Sequence, residues 1–142
     1  LENVKLDEKI MIGGMKTDAG TNRVVPIHSK IFPLVEARYN EAVTIGSPFL
    51  INCVDSYTRR GNLKMTYEKY RQRFIKIINR LNLNPEHRAH DPRKQFVTMA
   101  KDAGVDEYAI KYIVGHTIDD ITEKVYTQRT NQWLKDEIEK IK

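Results

Sequence analysis

One stretch limits the possible folds more than any other: TYEKYRQRFIKIINRL, residues 66 to 81. Tyr67, Tyr70, Phe74, Ile77, Ile78 and Leu81 recur at helical spacing, so a helix gathers them into one apolar stripe. Thr66 stands where an N-cap is wanted. The other faces are basic. From Arg59 to Arg80 there are eight lysines or arginines and one acid, Glu68. A solvated helix face normally mixes the two signs. The whole chain has a formal net charge of +5 over 142 residues, which favours anionic partners without naming one.

Around this helix the pattern reads as a small β element and then a helical body. Residues 8 to 27 form a β-hairpin or part of a small sheet: KIMIGG is one strand and NRVVPI the other. The turn between them, GMKTDAGT, carries Lys16. SKIFPLVEARYNEA then reads as a helix with Ser29 as N-cap and Ile31, Leu34, Val35 and Tyr39 on one side. TIGSPFLINC breaks it. After the loop NLNPEHRAH a helix runs from Pro92 to about Asp102 and stops near Gly104. Another runs from Asp106 to Gly115, a typical C′ residue. DDITEKVY is a short helix. TNQWLKDEIEKI is the last, capped by Thr130, with Leu134, Ile138 and Ile141 as a narrow apolar seam. The expected class is α+β, mainly α, in one domain spanning residues 1–142.

Cys53 is alone and sits in the apolar run FLINCV, which reads as a buried, reduced thiol. A disulfide framework is excluded, and no clustered partners offer zinc a site. No apolar run approaches the ~20 residues of a membrane span, and the chain reads as cytosolic. It opens on Leu1 rather than Met, in a turn-and-strand pattern with no lead-in. It is therefore expected to be a piece of a longer protein.

HDPRKQF, residues 90 to 96, points to chemistry. Asp91 is a good N-cap and Pro92 a good first helical residue, so His90 and Arg93 meet at a helix start. Free N–H groups and the positive end of the dipole lie there. A cation at that end is a mild misfit that a bound phosphate would relieve. Downstream, Gly115-His116 lies 23 residues past Arg93, and Tyr126 follows His116 by ten.

Read together, MKTDAGTNRVVPI, HDPRKQF, IVGHTIDDITEKVYTQ and the basic helix resemble the catalytic domain of tyrosine recombinases, the phage and transposon integrases. The likeness runs over nearly the whole chain. It implies site-specific DNA recombination or integration, with strand cleavage and rejoining through a 3′-phosphotyrosine. No cofactor and no metal are needed. In these roles Tyr126 is the nucleophile and Arg93 clamps the non-bridging oxygens. His90 shares the tyrosine proton. His116 donates to the phosphate, and Lys16 protonates the leaving 5′-oxygen. The partners implied are double-stranded DNA carrying an attachment site and further protomers of the recombinase, with no membrane, in the cytoplasm of a bacterium. Ten residues from His116 to Tyr126, rather than nine, lean towards integrases of mobile elements over enzymes that resolve chromosome dimers.

The likeness departs at one place. The family uses another arginine, in a TG-x-R type segment upstream of the hairpin lysine, and residues 1 to 15 contain no arginine. Arg23 follows the lysine and is in the wrong place to substitute. The missing arginine and the family's separate N-terminal DNA-clamping domain are expected before Leu1, which would leave this fragment inactive alone. Two other functions stay open: a catalytically incomplete DNA-binding module of the same fold, and a helical interaction domain with no nucleic-acid role. Each residue also has a plain structural reading. Lys16 suits a solvated turn, His90 could pack on Phe96, His116 could be a loop residue, and Tyr126 could edge the core. Tyr108 and Tyr112, four apart on one helix, read as packing residues rather than nucleophiles. DNA contact is expected mostly at the backbone, through Arg59, Arg60, Lys64, Arg71, Arg73 and Lys94. The last helix either docks on a neighbouring subunit or folds back on its own domain. Its acids, Asp136, Glu137 and Glu139, argue against DNA there.

Overall fold

A computed structural model of the chain describes residues 1–14, 18–53 and 64–142. The elements follow in the order β1 (Val4–Lys5), β2 (Ile10–Gly13), a 3-10 turn (Asp18–Gly20), β3 (Arg23–Pro26), α1 (Phe32–Thr44), α2 (Tyr67–Arg80), α3 (Asp91–Asp102), α4 (Glu107–Val114), a π-helical turn (Thr122–Tyr126) and α5 (Asn131–Ile138). The class is α+β and mainly α, as the pattern predicts. The chain divides into two compact units: Leu1 with residues 37–94, and residues 2–36 with 95–142.

The second unit holds the sheet. Its order is β1-β2-β3, antiparallel throughout, with Met11 opposite both Val4 and Val25 and Gly13 opposite Arg23. The hairpin of β2 and β3 is the expected one. β1 was not foreseen, because two residues carry no period to read. Ala100, Ala109, Ile110, Ile113, Leu134 and Ile138 form the buried core, with Val24, Val25, Phe96 and Trp133 packed against it. α4 buries four of its eight residues, and Asp106 caps it by accepting from the Tyr108 and Ala109 amides at 2.8 and 3.4 Å.

α5 folds back on its own unit, against β3 and α4, and its seam residues Leu134 and Ile138 are buried. Glu137 fixes it further. Its carboxylate accepts from the Asp106 amide at 2.7 Å and from Lys140 Nζ at 2.7 and 2.8 Å. Ser29, expected to cap α1, is used here instead. Its amide and hydroxyl donate to Glu139 at 2.7 and 2.6 Å. Burial alone would raise the Glu139 carboxyl. The Ser29 hydrogen bonds and the nearby His28 and Lys9 outweigh it, and the group sits below its ordinary value. α1 starts three residues later, where the His28 carbonyl accepts from the Ile31 and Phe32 amides, each at 3.0 Å. His28 Nδ1 accepts from the Lys30 amide at 2.9 Å, so the network assigns the proton to Nε2, which donates to the Ile141 carbonyl at 2.8 Å.

The first unit is built on α2. Thr66 Oγ1 accepts from the Lys69 amide at 3.3 Å, the predicted cap, and the helix closes at the predicted Leu81. Burial does not follow the stripe. Ile78 is buried, but Tyr67 is 71% exposed, Leu81 61% and Ile77 53%. Periodicity establishes that a helix forms; what covers its apolar side depends on the rest of the fold. Cys53 is buried, as expected. Arg73 turns towards it, with Nη2 at 3.7 Å from Sγ and Nη1 at 3.4 Å from the Asn52 carbonyl.

Candidate active site

His90 and Arg93 stand at the start of α3, as HDPRKQF predicts. His90 is exposed just before the helix, and its carbonyl accepts from the Arg93 amide at 3.2 Å. Arg93 is half-buried. Asp91 departs from its expected part as N-cap. Its carboxylate turns back onto the preceding loop, accepting from the Arg88 amide at 2.8 Å and lying 3.4 Å from His87 Nδ1. The Arg88 amide, with His87 and Lys94, holds this carboxyl below its usual range against a smaller cost of burial. The loop also holds itself, with the Glu86 and His87 amides donating to Asn84 at 2.9 and 3.1 Å. It thus presents Arg88 and His87 beside His90. Together with Arg71 of α2 they line a groove of about 540 Å³, walled on its apolar side by Tyr67 and Phe74. Two arginines and two histidines on one concave surface suit an anion.

The expected DNA-contacting residues are placed unevenly. Arg59 and Arg60 lie outside the described residues. Lys64 is exposed and pairs with Asn52 in an isolated β-bridge. Arg71 is exposed, 3.4 Å from Glu68, and faces the groove. Arg73 spends its guanidinium partly on the 52–53 segment. Lys94 is exposed, with Nζ 3.5 Å from Asp91.

The second unit carries the other motif residues. Gly115 ends α4 at φ 70°, and its amide donates to the Lys111 carbonyl at 2.8 Å. The His116 amide donates to the same carbonyl at 3.0 Å. This C-terminal capping pattern delivers His116 to the surface one residue past the helix. The backbone of Tyr126 closes the π-helical turn; its side chain lies outside the described part of the structure. π turns are rare and concentrate at functional sites. Asp120 starts this one, accepting from the Thr122 and Glu123 amides at 2.8 and 3.2 Å. Lys16, with Met15 and Thr17, falls outside the described residues.

Around the π turn lies a cluster the motifs did not announce. Glu123 is 4% exposed and takes a two-pronged contact from Arg129, at 2.8 and 2.9 Å. Arg129 also lies over the Trp133 ring, 4.3 Å from its centre, and Trp133 meets Tyr112 edge-on at 6.5 Å. A six-residue separation is not a helical neighbour distance, so the i, i+3 and i, i+4 rules do not pair Glu123 with Arg129. The rival tyrosines are both occupied. Tyr108 donates to Asp120 at 2.7 Å, which pushes its phenol up to about 12. Tyr112 is also raised, chiefly by burial and then by the Glu123 charge. Tyr112 packs as expected, whereas Tyr108 chiefly hydrogen-bonds.

Among the described residues no group of three His, Cys, Asp or Glu side chains is disposed to hold a metal ion. No described helix is long and apolar enough to cross a membrane. Residues 1–132 match the model of the phage integrase family. No curated protein and no solved structure matches the chain. The family match covers nearly all of the chain, and the chain belongs to the phage integrase family.

Proposed function

We propose that this member of the phage integrase family cuts and rejoins DNA through a covalent phosphotyrosine, with residues 1–142 serving as catalytic domain. Site-specific recombination follows from the family; the residue roles are our reading. The observation that carries it is the pairing of His90 with Arg93 at the start of α3, beside the cationic groove of Arg71, His87 and Arg88. A helix start with a guanidinium and an imidazole suits a phosphate better than any neutral ligand.

In this reading the Tyr126 hydroxyl attacks the scissile phosphorus. A Tyr126 oxygen–phosphorus bond forms and the bond to the 5′-oxygen breaks. The tyrosine proton passes to His90, and the 5′-oxygen takes one from Lys16. An ordinary tyrosine titrates near ~10, so it needs help to attack at neutral pH. Arg93 and His116 hold the charge that builds on the non-bridging oxygens, the term that dominates phosphoryl transfer. The Tyr108 hydroxyl is engaged by Asp120 and the Tyr112 ring packs edge-on against Trp133, so both rival tyrosines already have structural partners. DNA binding would rest on the backbone, through Arg71, Lys64 and Lys94, with Arg59 and Arg60 beside them in sequence.

The test is a covalent trap. The full-length protein is incubated with a pool of nicked duplexes of randomised sequence and run on a denaturing gel. A protein–DNA band that survives denaturation, and is absent in Tyr126→Phe, is the expected result. A protein that retains duplex DNA in a salt-dependent way but never forms the band is a binding module, and the catalytic roles fall. One that does not retain DNA at all removes the nucleic-acid reading.

A further inference from the structure

Arg23 opens β3, three residues past Gly20 at the end of the 3-10 turn, and it is half-buried. Its Nε donates to the Ile113 carbonyl at 3.0 Å, in the last turn of α4. Its Nη1 donates to the Gly20 carbonyl at 3.3 Å, at the end of the 3-10 turn. The last carbonyls of a helix lack partners within it. Those of Lys111 and Tyr112 are taken by the amides after the helix, and that of Ile113 by Arg23. A cation at a helix C-terminus is also favoured by the dipole.

Two glycines make room for this side chain. Gly115 has φ 70°, and a Cβ there would stand 2.8 Å from Gly20 Cα and 3.2 Å from Arg23 Cδ. Gly14 has φ 100°, and a Cβ there would stand 2.4 Å from Arg23 Nη1 and 1.9 Å from the Gly20 oxygen. Both positions need a backbone that side chains resist and a space that side chains would fill. Three segments thus meet on one guanidinium: the two flanks of the hairpin turn, Gly14 and Gly20, and the end of α4. Lys16 lies between those flanks in sequence, and His116 follows Gly115 directly.

We infer that Arg23 is a positioning residue for strand cleavage: it ties Gly14 and Gly20, which flank Lys16 in the sequence, to the helix end that precedes His116. Its donors are directed at two backbone carbonyls of its own unit, so it acts through the main chain and does not replace an arginine that clamps phosphate. The inference rests on the proposed function above, since it gives Arg23 a part in delivering that reaction's acid.

A substrate with sulfur in place of the bridging 5′-oxygen separates this from simple structural support. A thiolate leaves without a proton at neutral pH, because thiols titrate near ~8.5. The Tyr126 oxygen–phosphorus bond still forms and the phosphorus–sulfur bond breaks with its electron pair on sulfur. The duplex is the one recovered from the trapping experiment, and cleavage rates are measured on the oxygen and sulfur forms with the full-length protein. Lys16→Ala should lose about a hundredfold on oxygen and recover on sulfur. Arg23→Ala should follow the same profile more weakly, with a loss of about tenfold on oxygen, most of it recovered on sulfur, and DNA affinity unchanged. Arg23→Lys keeps a cation but does not span both carbonyls, and should fall between; it serves in place of Arg23→Ala should that variant unfold in denaturant titration. An Arg23 variant that cleaves the oxygen form normally, or is equally slow on both forms while Lys16→Ala is rescued, overturns the inference and leaves the proposed function standing. Lys16→Ala without rescue removes the acid assignment instead. Arg23→Ala must still match its profile on both substrates, and a mismatch overturns the inference independently.

Discussion

α2 and α4 are both capped helices, and the sequence announces both, yet they end in different surroundings. α4 turns Ala109, Ile110, Ile113 and Val114 into the core of its unit. α2 leaves most of its stripe in water and surrounds it with Lys69, Arg71, Arg73, Lys76 and Arg80. Helical period reports that one side of a helix is apolar. It does not report what that side meets. For α4 the answer came from β3 and α5, packed on it from distant parts of the chain. The two helices therefore differ in what they contribute: α4 stabilises, and α2 presents charge.

Substitutions should expose that division. The largest effect is expected in α4, where Ile113→Ala and Ile110→Ala should each cost about 2–5 kcal/mol in denaturant unfolding, for lost burial and the cavity left behind. Gly115→Ala should follow at about 1–3 kcal/mol, since φ 70° strains a side chain and Gly20 blocks the space. Removing the buried carboxylate by Glu123→Ala leaves Arg129 without its two-pronged partner and should cost about 1–3 kcal/mol by the same measurement. If Leu81→Ala or Tyr67→Ala in α2 costs as much as these, the contrast fails; each should stay within about 0.5 kcal/mol. Arg71→Ala should leave stability alone and lower the slope of log affinity against log salt by about one.

A pH scan sharpens the picture of the second unit. Glu139 has its folded value depressed, so its contribution is complete above its unfolded value of about 4.5 and fades as pH falls through the lower, folded one. Melting temperature should therefore drop on acidification below about 4.5, and Ser29→Ala should flatten part of that drop. A drop of the same size in Ser29→Ala would assign the effect to other carboxylates.

These contrasts mark what the residues alone disclose. Caps and periods located α2, α3, α4 and α5 closely, because the signals are local: Thr66, Pro92, Asp106, Gly115 and Thr130 act on neighbours within four residues. The motif order also located His90, Arg93 and His116 on the elements expected of them. What escaped depends on contacts between distant residues. Ser29 was drawn from capping α1 to a carboxylate 110 residues away, and Asp91 from its own helix to the loop behind it. β1 was too short to show a pattern. Arg23 looked like a basic residue in a strand until Ile113, 90 residues on, supplied its acceptor.

The π turn at Thr122–Tyr126 has a bearing on how such chains are recognised. A turn closed from residue i to i+5 stores one residue more than a turn closed to i+4, while the chain keeps its heading. Counted along the sequence, His116 and Tyr126 are ten apart, one more than the nine that the resemblance sets as the alternative. An inserted residue taken up as extra girth need not lengthen the path from histidine to tyrosine. Spacing between motif residues is then an elastic ruler, and a search that demands a fixed interval before the tyrosine would pass over chains that spend the extra residue in this way.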